Sequence, residues 1–409
     1  MQESQRSLQL PVMADGDLIY LDNNATTQLD PAVVEEMTPF LTKYYGNPSS
    51  GYQFGAQVRK AIDMARTRVA TMLGCEPPEI VFTSCGTESN NAAINAAVQF
   101  EPRGKHIVTS AVEHSAVLRH CEDLGKRGCE VTFLDVDRDG NVDLGELEKA
   151  IRPETAIVSF MWANNETGVV FPVEKIAEIC REKRVLFHTD AVQAAGKIPI
   201  RLRDAAINFL SISAHKLHGP KGVGALYVKR RTRFQPSVIG GGQEDGRRAG
   251  TENVASIVGL GKAAELATEC MVEEETRVRK MRDRFEEAIQ ERLIDATVNG
   301  ARAERLPNTA SISFAGIESQ AALILLDRNG VCCSAGSACR TGSQEASHVL
   351  RAMHLGDDGA RRSLRFSFGR FNTEAEVDRA SEIVPKVIDK LRGLSLPAST
   401  GVSRALPTA

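Results

Sequence analysis

The chain has 409 residues, with 50 Lys and Arg against 53 Asp and Glu, for a formal net charge of −3. This length exceeds what one hydrophobic core usually holds, so we expect two domains. The nearly balanced charge lacks the basic footprint of a nucleic-acid-binding protein, and no apolar stretch approaches the roughly 20 residues that span a bilayer. The first residues also lack a signal-peptide pattern, so we expect a cytoplasmic protein whose nine cysteines are mostly thiols.

Short apolar runs rich in β-branched residues recur through the first two thirds of the chain. They are EIVFTS, KHIVTS, EVTFLDV, AIVSFMW, VLFHTD, FLSIS and VGALYV. Helix-like stretches such as SNNAAINAAVQF and VEKIAEICREKR separate the first several runs. Strands that alternate with helices predict an α/β domain built on a mainly parallel sheet, and we assign residues 26–270 to it.

The remainder of the chain predicts a smaller α+β domain. A long charged helix, VEEETRVRKMRDRFEEAIQERL, leads to a strand (TASISF), a helix (ESQAALILLDRNG), a cysteine-bearing loop, a strand (SLRFSFGRF) and a last amphipathic helix. We assign residues 1–25 and 271–393 to this domain. Residues 394–409 show no periodicity, so we expect a disordered tail.

Polar residues follow several predicted strands, where ligands bind in open parallel sheets. Gly86 and Thr87 open a helix, and the helix N-terminus there either cradles a phosphate or is an ordinary cap. His114 is either a packed histidine or a ring-stacking, proton-transferring group beside a flat cofactor. Asn164 and Asn165 form either a turn or a polar contact to a cofactor or substrate.

Asp190 and Lys216 follow two predicted strands, 26 residues apart, about one strand–helix–strand step. Asp190 either caps a helix or holds a positive group in a cleft. A carboxylate facing a pyridinium nitrogen and a lysine forming a Schiff base are the usual protein contributions to pyridoxal phosphate chemistry. Ser213 and His215 adjoin Lys216 and are natural phosphate partners, so the pattern indicates a pyridoxal phosphate site with Lys216 as the amine nucleophile.

Cys339 lies in a Gly/Ser-rich stretch, VCCSAGSACRTGSQEASHVL, whose composition favours mobility and exposure. Reactive cysteines need exposure and an electropositive setting, and Arg340 adjoins this thiol. Cys332 and Cys333 end an apolar run, so we expect them to be packed structural thiols. A metal site using all three is disfavoured because no second ligand cluster matches.

The segment DVDRDGNVDLGE, residues 135–146, fits the calcium-loop pattern. An EF-hand needs an entering helix, yet the preceding CEVTFL reads as a strand. We expect an acidic β-turn here.

These stretches, together and in this order, resemble the cysteine desulfurases of the class V aminotransferase superfamily, most closely the nitrogen-fixation (NifS-like) type. The similarity runs from YLDNNATT and YGNPSS to SLRFSFGRF and includes FTSCGTES, MWANNETG, FHTDAVQA, AHKLHGPKG, GRRAGTENVASI and GSAC. It implies a pyridoxal phosphate-dependent transferase of fold type I, active as a homodimer on L-cysteine. Sulfur would pass to an acceptor such as an iron–sulfur scaffold, serving nitrogenase or housekeeping cluster assembly.

The resemblance also implies a role for each site residue. The cofactor would be held by Lys216 at its aldehyde carbon, Asp190 at its pyridine nitrogen, Gln193 at its phenolic oxygen, His114 on its ring, and Thr87, Ser213, His215 and the partner subunit's Thr251 at its phosphate. Asn165 and Arg365 would bind the substrate carboxylate. Cys339 would accept the sulfur as a persulfide while the substrate becomes L-alanine.

Two rival functions stay open at this point. A selenocysteine lyase, or another class V enzyme that makes no persulfide, would not need Cys339. A non-catalytic sulfur-carrier scaffold would not need the pair of Asp190 and Lys216. The sequence also departs from the family pattern at Arg340, where threonine is common.

Overall fold

The computed structural model describes residues 18–100, 104–335 and 346–395. In these ranges the strands are β1 (Ile19–Tyr20), β2 (Ile80–Thr83), β3 (His106–Ser110), β4 (Glu130–Leu134), β5 (Thr155–Ser159), β6 (Leu186–Asp190), β7 (Phe209–Ser213), β8 (Gly224–Val228), β9 (Thr297–Val298), β10 (Thr309–Ser313), β11 (Val331–Cys332), β12 (Ser334–Ala335) and β13 (Ser363–Ser367). The α-helices are α1 (Pro31–Thr42), α2 (Gln53–Leu73), α3 (Gly86–Phe100), α4 (Ser115–Lys126), α5 (Leu144–Ala150), α6 (Val173–Lys183), α7 (Val254–Glu269), α8 (Met271–Glu273), α9 (Arg279–Arg292), α10 (Ser319–Arg328), α11 (His348–Ala352), α12 (Gly356–Arg361) and α13 (Glu374–Ser395).

A seven-stranded sheet is the centre of the molecule, with strand order β2-β8-β7-β6-β5-β3-β4. The strands from β7 to β4 pair in parallel, and β8 is antiparallel to both of its neighbours. Six of the strands lie within an apolar run and β5 begins one residue before its run, so the predicted mainly parallel sheet is confirmed. The parallel pairing brings the carboxyl ends of β3, β5, β6 and β7 to one edge of the sheet.

Alternate residues of these strands pack on opposite faces of the sheet. Val108, Val158 and Leu210 belong to one hydrophobic cluster. Their neighbours Ile107, Ile157 and Phe209 belong to another cluster, with residues of α3 and α4. Both faces are therefore covered, which explains why these strands read as continuous apolar runs instead of alternating ones.

A second, four-stranded antiparallel sheet has the order β12-β13-β10-β9. It shares a separate hydrophobic cluster with residues of β1, α9, α10 and α13. Helix α11 instead contributes Val349 and Leu350 to a cluster of the large sheet. The predicted smaller α+β unit is therefore present, and the exact domain boundaries stay a prediction.

The predicted long charged helix is interrupted. Its first part is α8, a π-helical turn follows over Glu274–Val278, and α9 completes it. Such π turns are often found at functional sites. The hydrophobic pattern could not reveal the turn, because a π turn changes the backbone register without changing the residue types.

The two ends of the chain and two internal segments, 101–103 and 336–345, lie outside the described residues. Helix α13 extends to Ser395, and the rest of the tail predicted to be disordered, 396–409, lies outside the described residues, as do residues 1–17. Cys339 and Arg340 also fall outside them. In the described part of the chain, no helix combines the length and apolar character needed to span a membrane.

The calcium-like segment forms the expected acidic turn. Strand β4 precedes it, and Asp137 Oδ1 accepts hydrogen bonds from the backbone N–H groups of Asp139 and Asn141. Asp143 caps α5. The carboxylates of Asp137 and Asp143 are thus used by the turn and the helix cap.

Candidate active site

A cleft with a volume of about 270 Å³ opens at the carboxyl ends of the parallel strands. Small-molecule sites usually begin near roughly 300 Å³, so the cleft suits a compact ligand. The sequence-predicted residues that line it are Gly86, Thr87, His114, Asn165, Asp190, Gln193, Ser213, His215, Lys216 and Arg365. The structure therefore brings together residues from both sheets that are up to 279 positions apart in sequence (365 − 86).

Lys216 follows β7 on a short 3₁₀ turn, Ala214–Lys216. Its Nζ donates hydrogen bonds to the backbone carbonyls of Asn24 and Ala25, the latter at 2.7 Å. Lys216 is therefore held inside the cleft and does not extend into solvent as an ordinary loop lysine would. An amine in this position can act as a nucleophile or as a base.

Asp190 ends β6 and is buried. Its Oδ2 accepts a 2.6 Å hydrogen bond from Asn90 Nδ2, and its Oδ1 accepts one of 3.0 Å from the backbone of Val192. The residue therefore stabilises its local turn and also presents a carboxylate to the cleft. In the described part of the chain no helix begins directly after Asp190, so the helix-cap interpretation is wrong, and the holding of a positive group in the cleft stays a prediction.

The N-terminus of α3 lies close to the turn that follows β6. A Cβ atom at Gly86 would lie 2.7 Å from the Cγ2 atom of Val192, so this approach requires glycine. Thr87, in the first turn of α3, and Ser213, at the end of β7, both line this part of the cleft. Helix N–H groups and two hydroxyls provide the donors that an anionic phosphate needs.

His215 adds a neutral ring to this side of the cleft. Burial lowers its pKa to about 4, with a further contribution from the neighbouring Lys216 charge. Its Nδ1 lies 3.2 Å from the Thr26 hydroxyl. A neutral imidazole keeps one N–H group, which can donate a hydrogen bond to a phosphate.

His114 is the cap of α4. Its Nδ1 accepts a 3.1 Å hydrogen bond from the backbone N–H of Ala116. The neutral ring therefore carries its proton on Nε2, and the cap fixes the orientation of the ring at the cleft. This geometry suits a ring that stacks on a flat ligand and exchanges a proton through Nε2.

The preceding residue, Glu113, is fully buried. Its Oε1 accepts hydrogen bonds from Ser110 Oγ and the backbone of Met161. Burial raises the pKa of Glu113 to about 8. A buried carboxyl of this kind is largely neutral at pH 7, which limits its repulsion of Asp190.

The two adjacent asparagines have different roles. Asn164 Oδ1 accepts hydrogen bonds from the backbone of Glu166 and of Thr167, so Asn164 forms the turn. Asn165 lines the cleft, and its backbone carbonyl accepts from Arg365 Nη1 at 2.8 Å. Only Asn165 is placed to contact a ligand.

Arg365 on β13 is 1% exposed and belongs to the second sheet. Its Nη2 forms a 2.7 Å ion pair with Asp22. A planar guanidinium at the rim of the cleft can bind a carboxylate through two parallel hydrogen bonds. The sequence analysis did not single out Asp22, although it lies in the YLDNNATT stretch.

Two predicted residues are not part of this cleft as described. Cys339 lies outside the described residues. Thr251 is exposed and is not among the described residues that line the cleft. Cys332 and Cys333 are partly buried, and burial raises the pKa of both thiols. Their structural role stays a prediction.

Sequence reasoning missed Asn24, Asn90 and Cys85, all of which line the cleft. Asn24 accepts from both Lys216 and Gln193 through its backbone carbonyl. The signal was partly available, because Asn90 lies in the first turns of a helix that follows a strand. The role of Asn24 depends on its backbone carbonyl, which every residue has, so the residue type could not indicate it.

The set of groups fits pyridoxal phosphate. The cleft offers a lysine, a carboxylate for a pyridinium nitrogen, hydroxyls at a helix N-terminus, and a histidine held at the cleft by a helix cap. The close packing at Gly86 shapes the anion-binding end. These features agree with the cofactor predicted from the sequence.

Comparisons with known proteins agree with this chemistry. The family model for class-V aminotransferases matches residues 19–380. A cysteine desulfurase of Nostoc sp. is 53% identical over 381 residues, covering 92% of this chain and 94% of that protein. The cysteine desulfurase NifS of Azotobacter vinelandii is 49% identical over 384 residues, covering 94% and 95% of the two chains.

A solved structure described as a NifS-like protein is also similar. Its TM-score is 0.86 at 39% sequence identity, and the match covers 91% of this chain and 100% of that chain. The similarity of the whole fold, in addition to the strand order of the sheet, therefore confirms the predicted fold class.

Proposed function

The chain belongs to the class-V aminotransferase family and is a pyridoxal phosphate-dependent cysteine desulfurase; from this premise we propose a role for each residue of the cleft. Lys216 is the residue that joins the cofactor. The observation that supports this most strongly is the position of its Nζ, held by two backbone carbonyls at the end of β7 and inside the cleft.

The other groups of the large sheet hold the cofactor. Asp190 binds the pyridine nitrogen, with its carboxylate oriented by Asn90 and the Val192 backbone. Thr87, Ser213 and His215 bind the phosphate. Pyridoxal phosphate supplies an electron sink that stabilises negative charge at the α-carbon of the substrate.

Substrate orientation and proton transfer come from the remaining residues. Arg365 binds the carboxylate of L-cysteine, and Asn165 contributes at the same side of the cleft. Removal of the α-proton is assigned to Lys216, because its amine lies inside the cleft and can act as a base. His114 holds a proton on Nε2 that it can donate at the ring face.

Sulfur transfer requires a thiolate from outside the cofactor pocket, and we assign it to Cys339. The thiolate attacks the sulfur of the substrate, and a new S–S bond forms on Cys339. The carbon–sulfur bond breaks with its electron pair remaining on the carbon fragment, which is protonated to L-alanine. The Gly/Ser-rich composition of the sequence around Cys339 and the adjacent Arg340 support this role.

The experiment exposes the enzyme briefly to L-cysteine, alkylates it and locates the persulfide by mass spectrometry. Cys339→Ser should retain the cofactor absorbance and lose sulfide release, whereas Cys332→Ser and Cys333→Ser should retain most activity. A persulfide found mainly on Cys332 or Cys333 would move the acceptor role to that thiol. Cleavage of selenocysteine alone by Cys339→Ser would favour a selenocysteine lyase.

We also propose that the enzyme is a homodimer in which Thr251 completes the phosphate site of the partner subunit. Thr251 is exposed and lies outside the cleft lining of its own chain. Twofold pairs are the commonest symmetric assemblies. Sedimentation at micromolar concentration should give a dimer, and a fully active monomer would contradict the proposal.

The sulfur acceptor that we propose is an iron–sulfur scaffold protein, and a nitrogenase-linked one is favoured by the similarity to NifS. The proposed compartment is the cytosol. All eight described cysteines are free thiols, which suits a reducing compartment. Sulfide and alanine release with and without candidate scaffold proteins would test the choice of acceptor.

A further inference from the structure

A buried lysine contacts Gln193 from behind the cleft. Lys197 Nζ donates to the backbone carbonyl of Gln193 at 3.0 Å and to its side-chain Oε1 at 3.5 Å. Lys197 is only 6% exposed and is not among the described residues that line the cleft. A buried ammonium costs stability that a neutral side chain would not, so simple packing does not account for a lysine here.

The contact with Lys197 fixes which atom of the Gln193 carboxamide, Oε1 or Nε2, faces the cleft. A lysine nitrogen carries only donors in its charged form, so the amide oxygen must face Lys197. The amide nitrogen then points the other way, and Nε2 donates to the Asn24 carbonyl at 3.0 Å. Lys216 Nζ donates to the same carbonyl, so the Gln193 N–H lies beside the catalytic lysine.

Lys197 shares its buried surroundings with one acidic group, Glu274, and with a second cation, Arg370. A small cavity is lined by Lys197, Glu274, His218, Arg370 and the back of Lys216. Burial lowers the pKa of Lys197 to about 8, and the Glu274 carboxylate opposes that change. Burial lowers the pKa of His218 to about 4, so its ring is neutral. Glu274 lies in the π-helical turn, which provides the buried carboxylate on this side of the cavity.

We propose that Lys197 is a positioning residue that orients the Gln193 carboxamide so that its N–H donates to the phenolic oxygen of the cofactor. The inference rests on the proposed function, in which Lys216 joins the aldehyde carbon. The phenolic oxygen is ortho to that carbon, so in the bound cofactor it lies next to the Lys216 nitrogen and within reach of Gln193.

The orientation has a spectroscopic consequence. The nitrogen that links Lys216 to the cofactor loses a proton as pH rises, and the visible absorbance changes with it. A donor to the phenolic oxygen favours the deprotonated form, because that form lacks the internal N–H···O contact. Without Lys197 the Gln193 N–H no longer points at the phenolic oxygen, and the pH midpoint of the absorbance change rises.

The test is a pH titration of the visible absorbance in four proteins: the unmodified enzyme, Lys197→Met, Gln193→Leu and the double variant. Lys197→Met should raise the midpoint by about one pH unit, the size expected for losing one hydrogen bond to a charged group. When Gln193→Leu is already present, Lys197→Met should shift the pH midpoint by less than about a third of the shift that it causes alone. This loss of effect is the signature of action through Gln193.

Lys229→Met is the matched control. Lys229 donates to the Ala205 backbone from a partly buried position outside the cleft, and its loss should leave the midpoint unchanged. If Lys197→Met does not fold, the variant that combines Lys197→Met with Glu274→Gln removes the lysine together with its acidic neighbour. It is compared with Glu274→Gln alone.

An equal midpoint shift with and without Gln193 would overturn the proposal, because Lys197 would then act by its direct field. An unchanged midpoint in Lys197→Met would overturn it as well. The absence of any cofactor band in the unmodified enzyme would instead contradict the proposed function on which the inference rests.

Discussion

The two sides of the cleft are built in different ways. On the side that we propose to bind the cofactor, called the cofactor side, Asp190, Ser213 and Lys216 come from one continuous segment. This segment forms the neighbouring parallel strands β6 and β7. On the side that we propose to bind the substrate, called the substrate side, Arg365 comes from the second sheet and pairs with Asp22, 343 residues away in sequence. The first side depends on local strand geometry, and the second depends on how two sheets are packed against each other.

The difference extends to how the charged groups are held. Asp190 receives two hydrogen bonds from neutral donors, Asn90 and the Val192 backbone. Arg365 is held by the Asp22 carboxylate and by the Asn165 carbonyl. Breaking a buried ion pair leaves an uncompensated charge, so the substrate side is the more sensitive to loss of a partner. We therefore expect changes on the two sides to separate cofactor binding from substrate binding.

The largest effect should come from Lys216→Ala. In the proposed function this amine is both the attachment point and the base, so turnover should fall by more than about a thousandfold. The cofactor should still bind through Asp190 and the phosphate contacts, but borohydride should no longer fix it to the protein. The exposed neighbour Lys221 provides the control, since Lys221→Ala should keep normal activity. Lys216→Ala activity within tenfold of the unmodified enzyme would contradict the assignment.

An intermediate effect is expected on the substrate side from Arg365→Lys. Lysine keeps the charge and loses the two parallel donors, so the KM for L-cysteine should rise by about 10- to 100-fold. Cofactor affinity should change little, which separates the two sides.

The matched control for Arg365 is Arg305→Lys. Arg305 makes a buried two-bond ion pair with Glu286 away from the cleft. Its replacement should lower the melting temperature without raising KM. A loss of cofactor affinity in Arg365→Lys that equals the change in KM would show that the two sides are not separable.

The same contrast explains what the sequence could predict. Lys216, Asp190 and Ser213 follow apolar runs, and the carboxyl ends of parallel strands meet at one edge, so their meeting follows from general rules of α/β sheets. Arg365 entered only through family resemblance, because its approach to the cleft depends on packing between two sheets. Asp22 was missed for the same reason.

Other features leave little trace in residue types. Asn24 acts through its backbone carbonyl, and the π turn at Glu274–Val278 changes only the backbone register. The contact of Lys197 with Gln193 is a single helical-type step (i, i+4) that resembles any other such pair. These features depend on burial, which single-sequence patterns indicate only on average.

The smallest effect should come from Asn90→Ala, on the cofactor side. Asn90 donates at 2.6 Å to Asp190 Oδ2, and hydrogen bonds to charged groups usually contribute about 1.5–3 kcal/mol when both partners are buried. Water can enter the open cleft and replace part of this bond, so we expect the cofactor affinity to fall by only about tenfold, with KM for L-cysteine unchanged. Equilibrium dialysis against pyridoxal phosphate measures the affinity. Asn91→Ala, one position along the same helix and outside the described cleft lining, is the control and should leave the affinity intact. If Asn90→Ala raised KM and left cofactor affinity unchanged, Asn90 would belong to the substrate side, and the division of the cleft into two independently built sides would fail.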